Sequence, residues 1–439
     1  MTARIRQLLN AVGETFWLLP AALVVTGILL AVGLVELDRS GLVPQWLIES
    51  PFLYNGGGTG ARTLLGAVAS STIGVAGTVF SITIASLSLA AGQMGPRLLR
   101  NFVKDRGNQF TLGAFLGTFS YALMVLRSVR TQEEGPFVPH AALTAGILLA
   151  FLCVGVLVFF VGHMAGRINV DTVIELVSRD VGNAIRRLTS TDAPAPVAVP
   201  SFTDAVAAVA DPRQGYLQEL DADQLADWAA AHDCTIQLLV RPGDYVFPGA
   251  AIALAEPARD GIDRAIRRAT ALGGQRVSRI DLEFAVRQLV EIAVRALSPG
   301  INDPHTAMSV LDRLGAALCA IVSRHLPLGQ IERGGQVALV VPVVDYDGLV
   351  DAMFHLIRQN AAGSVAVLIR MLEVLTVIAG VERRPERLAV LRRHADLVLG
   401  DGERDVSTPA DLDDLKGRHR RFTAMQTIGP ISMAEREAT

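Results

Sequence analysis

Four stretches without a single Asp, Glu, Lys or Arg lie in the first 166 residues, at 16–35, 63–89, 110–126 and 141–164. A bilayer core takes roughly 20 apolar residues of helix to cross. In lipid, only a segment that closes its own backbone hydrogen bonds can stand. The spacing therefore predicts four transmembrane helices, the third being the shortest. The composition agrees: 51% of the 439 residues are hydrophobic and the mean hydropathy is +0.39. The first stretch is too long for a secretory h-region and lacks a small-x-small cleavage site, so it reads as a retained span.

Basic residues alternate between the connecting segments. Arg4 and Arg6 precede the first span, Arg97, Arg100, Lys104 and Arg106 sit between the second and third, and Arg167, Arg179, Arg186 and Arg187 follow the fourth. The other two loops hold only Arg39 with Arg62, and Arg127 with Arg130. The positive-inside rule then predicts that both termini lie in the cytoplasm.

The fold class expected is a membrane α-helical domain of four transmembrane helices followed by an α+β cytoplasmic domain. Residues 1–166 form the transmembrane domain. Residues 167–200 are a connecting helix and linker, since the helical period of Ile174, Val177, Val181, Ile185 and Leu188 continues the fourth span until STDAPAPVAVP breaks it. Residues 201–256 form a small β-containing module. Within it, Gly243, Val246 and Gly249 have the spacing of the hammerhead hairpins of biotinyl and lipoyl domains, without their attachment lysine. Residues 257–400 are mainly helical, with helices expected at 280–297, 306–323, 346–360, 365–378 and 386–399 and a strand at 337–344. Residues 401–439 read as a polar, partly ordered tail.

Several chemistries are excluded. The net charge of −3 gives no electrostatic case for nucleic acid. Cys153, Cys234 and Cys319 are far apart, form no CxxC pair and predict neither a disulfide framework nor a cysteine-built zinc site. Lys104 and Lys416 are the only lysines, so no GxxxxGK[ST] phosphate loop exists, and HExxH and GxSxG are also missing. No cofactor and no metal ligand set is assigned. The run YNGGGTGA at 54–61 matches a dinucleotide fingerprint only superficially, because it precedes a membrane span rather than linking a strand to a helix; it reads as a flexible linker.

Two segments carry candidate sites. Along the second span, alternating steps of three and four residues connect Ser71, Gly74, Thr78, Ser81, Ala85, Ser88 and Gly92, all small and mostly hydroxylic. Ile73, Phe80, Ile84 and Leu87 make a bulky face. The stripe either lets helices pack closely or lines a water-filled path in which hydroxyls replace part of an ion's hydration shell. Arg97, Arg100 and Lys104 follow at helical spacing after Gly95-Pro96, as an interfacial anchor or a basic ring at a pore mouth. The second segment, RALSPGINDPHTA at 295–307, holds Arg295, Ser298, Asn302, Asp303 and His305. It reads as a helix–loop–helix joint with Asp303 as N-cap and Pro304 at the first helical position. The alternative is an anion site at that helix N-terminus. Asp303 and His305 lack the nucleophile or metal set that would make them a catalytic pair, so no enzyme activity is assigned.

The segments DLEFAVRQLVEIAVRALSPGINDPHTAMSVLDRL (281–314), FSITIASLSLAAGQMGPRLLRNFVKDR (80–106) and GDYVFPG (243–249) resemble the typical blocks of a bacterial membrane-protein family catalogued as domain of unknown function 2254. The resemblance implies a multi-pass protein of the bacterial inner (plasma) membrane with a cytoplasmic domain and supplies no activity. Together with spans free of mid-membrane charge, which argue against a coupled pump, these readings point to a homo-oligomeric channel in contact with lipid. The second span would line the path, with a weak anion preference. A non-conducting scaffold or sensor is the alternative.

Overall fold

A computed structural model describes residues 16–40, 54, 57–94, 105–130, 137–193, 206–274, 276 and 282–429. The chain divides into two compact units, with the boundary at Asn169/Val170.

Among the described residues, the first unit contains four helices long and apolar enough to cross a membrane: α1 (Leu18–Arg39), α2 (Gly58–Met94), α3 (Arg106–Ser128) and α4 (His140–Ile168). The shortest expected span, α3, is the hub. It packs against the other three helices, and its most apolar stretch is 56% buried, against 17–22% for theirs. A helix that faces protein instead of lipid can carry polar groups, which explains its weaker signal: Asn108, Gln109, Thr111 and Thr118 are all buried on it. Small residues bring α1 and α3 together. A Cβ on Gly27 would land on the Gly117 carbonyl, and one on Gly117 would lie 2.8 Å from the Leu23 carbonyl oxygen. The linker expected at 54–61 is shorter than anticipated, since Gly58 already opens α2.

Both ends of this unit are tied by carboxylates. Asp38, at the end of α1, accepts from the backbone N–H of Ala141 (3.1 Å) and Ala142 (3.0 Å), capping the start of α4. Asp105 caps α3 through the N–H of Gly107 (2.8 Å) and also contacts His163 Nε2 on α4 at 2.8 Å.

In the second unit, α5 (Val170–Leu188) does not simply continue α4, because Asn169 is extended (φ −72°, ψ 122°). The chain then forms β1 (Ala207–Ala210), β2 (Gly215–Leu220), α6 (Ala222–Ala231), β3 (Thr235–Leu238), β4 (Tyr245–Val246), β5 (Ala251–Glu256), α7 (Ile262–Ala269) and β6 (Thr270–Gly273). Helices α8 (Leu282–Ala296) and α9 (Pro304–Ile321) come next, then β7 (Gln330–Arg333) and β8 (Gln336–Val340). The chain closes with α10 (Tyr346–Asn360), α11 (Val365–Val381), α12 (Pro385–Asp405) and α13 (Pro409–Ile428). One sheet has the order β1-β5-β3-β8-β7 and the other β4-β2-β6.

The structure does not bear out the hammerhead detail. Strands β3 and β5 are antiparallel neighbours in the first sheet, whereas β4 pairs with β2 in the second. Gly243 and Gly249 do make the expected turns, at φ 102° and 82°. Strand β8, beyond two long helices, pairs in parallel with β3, so the sheet ties the β-rich segment to the hairpin β7–β8. Alternating inward residues of this sheet (Ile236, Leu238, Ala253, Ala255, Leu339) pack with Leu225, Ala226 and Ala229 of α6 into one core. The polar tail expected from residue 401 is instead helical as far as Ile428. Leu415 and Phe422 are fully buried, and a Cβ on Gly402 would collide with Leu415, so α12 and α13 approach closely there. Two buried apolar residues on an otherwise charged helix suffice to dock it, and they are too few to stand out as a period.

Candidate functional site

The small-residue stripe of α2 can be followed residue by residue. Ser71, Gly74, Thr78, Ser81, Ala85, Ser88 and Gly92 are all exposed on the surface of the chain. The bulky face is outward as well, with Ile73 41%, Phe80 41% and Ile84 48% exposed, which makes it a lipid-compatible side. The seam that packs inside the chain is a third face, formed by Ala61, Leu65, Ala69, Thr72, Ala76, Val79 and Ser86. Its residues are apolar or small like their neighbours, so composition alone does not separate it from the stripe.

The hydroxyls of Ser71, Thr78 and Ser81 find partners in their own helix. Thr78 Oγ1 donates to the Gly74 carbonyl (3.2 Å), Ser81 Oγ to that of Gly77 (3.0 Å) and Ser71 Oγ to that of Val68 (3.1 Å). Back-bonding to the preceding turn is the ordinary way a Ser or Thr settles in a membrane helix. A Cβ added at Gly66, Gly74, Gly77 or Gly92 would meet open space. This is the opposite of Gly27 and Gly117, whose smallness is used up within the chain. Arg97, Arg100 and Lys104, the expected mouth, lie outside the described residues.

The joint between α8 and α9 is a fully bonded turn. Ser298 Oγ donates to the Arg295 carbonyl (2.7 Å), the Asn302 N–H to that of Ser298 (2.9 Å) and the Asp303 N–H to that of Ala296 (2.8 Å). Asn302 holds the left-handed conformation (φ 48°) that the turn needs, a role Asn tolerates better than most residues. The Asp303 carboxylate accepts from the Thr306 N–H (3.1 Å) and hydroxyl (2.6 Å), and the hydroxyl bond is the main reason its carboxyl sits below the usual range. Arg295 and His305 are both exposed. The dipole end that an anion would use is filled by this carboxylate. Asp303→Ala is expected to cost about 1 kcal/mol of stability. Thermal unfolding of the variant, read beside assembly or flux, checks it: a loss of function without a loss of stability would show that the joint is more than a cap.

A family model described as "Predicted membrane protein (DUF2254)" matches residues 13–377. The chain belongs to this family. Similar members are the uncharacterized protein MT1328 of Mycobacterium tuberculosis and the uncharacterized protein Mb1321c of Mycobacterium bovis. Each is 31% identical over 464 residues, covering 100% of this chain and 88% of the relative. No solved structure matches.

The structure of this family member also assembles two groups that are not apparent in the linear order. The first is the pair of buried Asp105 with half-buried His163, 58 positions apart in the chain. Its signal was a carboxylate just before one span and a histidine at the end of another. The second lies in the C-terminal unit. Asp351 and His355, one turn apart on α10, meet His394 on α12: Asp351 Oδ1 is 2.9 Å from His394 Nε2 and 3.7 Å from His355 Nε2. Arg393 Nη2 bridges Asp347 (2.5 Å) and Asp351 (2.6 Å). His394 is completely enclosed, and burial first, then the Arg393 charge, hold its pKa down at about 4. Burial acts to raise the Asp351 carboxyl, but Arg393 and the two imidazoles together leave it lowered. The Nδ1 atoms of both His355 and His394 are buried without a hydrogen-bond partner. Such an atom costs on the order of 1–3 kcal/mol. The pair Asp351–x3–His355 on a helix was the readable half of this group.

Proposed function

We propose that the protein is a homo-oligomeric channel of the bacterial inner membrane, in which α2 of each copy turns its small hydroxylic stripe toward a common path. The observation that carries the reading is that all seven stripe residues are exposed on the single chain while the inward seam of α2 is a different face. Small residues on a membrane helix are a surface for other helices or for water and offer little to lipid tails. The self-bonded hydroxyls leave acceptor lone pairs free to replace part of an ion's hydration shell. In this reading the basic segment carrying Arg97, Arg100 and Lys104 forms the inner mouth and gives a weak anion preference. The C-terminal unit lies in the cytoplasm, where it assembles and gates the path. The loop charges support that orientation.

A second reading is favoured by the same hydrogen bonds. Hydroxyls already satisfied by their own backbone let two α2 helices close dry against each other, as in a non-conducting scaffold or sensor. Cysteine substitution separates the two, in protein lacking Cys153. In a channel, cysteine at Thr78, Ser81 or Ser88 reacts with a membrane-impermeant thiol reagent and cysteine at Phe80 or Ile84 does not. Ser81→Leu then stops flux in liposomes and leaves the oligomer intact. Stripe cysteines that stay unlabelled in an assembled protein without ion flux would establish the scaffold. Labelling of a cysteine at Ser190 only from the side opposite the cytoplasm would overturn the orientation.

A further inference from the structure

Among the described residues, one place brings three metal-ligating side chains to a point, at Asp351, His355 and His394. One ligand atom from each lies within 4.8 Å of the other two. A tetrahedral zinc site with bonds near 2.0–2.1 Å has ligand atoms roughly 3.3 Å apart. The two edges that start from Asp351, 2.9 and 3.7 Å, bracket that spacing before any side chain has moved. Asp351 and His355 are fixed on one face of α10 by the helical repeat, and His394 comes from the facing side of α12. The Nε2 atoms of both imidazoles face Asp351, and their buried Nδ1 atoms lie on the other side of each ring, outside this triangle.

We propose that Asp351, His355 and His394 bind a borderline divalent cation of the zinc class, clipping α12 to α10. Two imidazole nitrogens and one carboxylate oxygen suit zinc, cobalt or nickel better than magnesium or calcium, which take oxygen ligands. Only three protein ligands converge, and the side chains of Asp351 and His355 are 34% and 35% exposed, so water completes the shell from the open side. Arg393 is the competing cation. It holds the same Asp351 oxygen that lies nearest the histidines. Its side chain is 40% exposed and also bonds Asp347, so it can release Asp351 and stay paired. Occupancy is therefore an exchange at one carboxylate between a guanidinium and a metal ion. This inference stands independently of the channel reading.

The test uses the full-length protein, purified in detergent on a tag free of histidine, with zinc or cobalt as the probe. One equivalent of metal per chain is expected by elemental analysis after dialysis, with the visible spectrum of four-coordinate cobalt. The thermal midpoint is expected to rise with zinc and stay unchanged with magnesium. Asp351→Asn and His355→Gln, both at partly open positions, should weaken binding by about tenfold or more, and Arg393→Gln should tighten it. If Asp351→Asn and His355→Gln bind as well as the wild type, the metal sits elsewhere and the proposal is wrong. If neither the wild type nor Arg393→Gln retains the ion, the cluster is an ion-pair hub and nothing more.

Discussion

Gly27→Val is expected to destroy the membrane unit, while Gly74→Val in the same unit leaves the single chain folded. The first position has no room. A Cβ there meets the backbone of Gly117 on the neighbouring helix, and backbone cannot swing aside as a side chain can. Helices α1 and α3 would have to part along a seam where Gly113 also approaches Pro20 and Leu23. Overpacking costs typically about 1–3 kcal/mol where side chains can adjust, and a Cβ driven into backbone costs more than that. Gly74 has open space beside it, and valine there adds lipid-compatible surface. Thermal unfolding of detergent-solubilised protein, read together with its mass by light scattering, checks both variants. Gly27→Val should fail to yield folded chain. Gly74→Val should keep its unfolding midpoint; in the proposed channel it narrows the path and leaves the oligomer intact, as Ser81→Leu does, whereas loss of the oligomer would favour the scaffold. Equal stability of the two variants would mean that α1 and α3 do not meet at these glycines.

The second large effect is expected at Glu382, in the turn between α11 and α12. Its carboxylate is 1% exposed, accepts from the backbone N–H of Arg383 (2.9 Å) and Arg384 (3.0 Å), and faces Arg387 Nη1 at 3.4 Å. Arg387 is itself buried. It donates to the carbonyls of Ile321 (3.2 Å) and Arg324 (3.0 Å), and its guanidinium lies 4.7 Å from the centre of the Tyr346 ring. One ion pair thus joins the end of α9, the start of α10 and the α11–α12 turn. Removing one partner strands the other charge out of water, which costs about 3–5 kcal/mol. Glu382→Ala should therefore lower stability by that amount. Glu382→Ala combined with Arg387→Met should cost clearly less than the sum of the two singles, since the double change leaves no orphaned charge. Additive losses in chemical denaturation would show that the two residues do not work as a pair.

These two nodes illustrate what the sequence could and could not disclose. The four spans were legible because a charge-free run of that length has few other uses, and α10 was placed at Tyr346–Asn360 because its apolar period is regular. The cap at Asp303 was readable from Asp-Pro alone, and the chain does bond it that way. What escaped depends on distance along the chain. The inward seam of α2 is invisible until α3 is set beside it. Helix α6, ADQLADWAAA, is half alanine and so has no strong period. Helix α13 is docked by Leu415 and Phe422 in a run dominated by charge. The Asp105–His163 pair and the Asp351–His355–His394 group each need two helices to exist before their atoms share a place.

The parallel pairing of β3 with β8 carries a consequence for how the chain is made. Strand β3 ends at Leu238, and its partner begins only at Gln336, after α8 and α9 have been synthesised. A nascent chain that stops short of β8 leaves one edge of β3 with bare N–H and C=O groups, which is a template for pairing with another chain. Contacts so remote in sequence form late and slowly, because loop closure precedes any reward. The C-terminal unit is thus sealed from its middle outward. The β-rich segment must wait, partly assembled, until the ribosome has delivered residue 340, and chains broken before that point are the ones that quality control must remove.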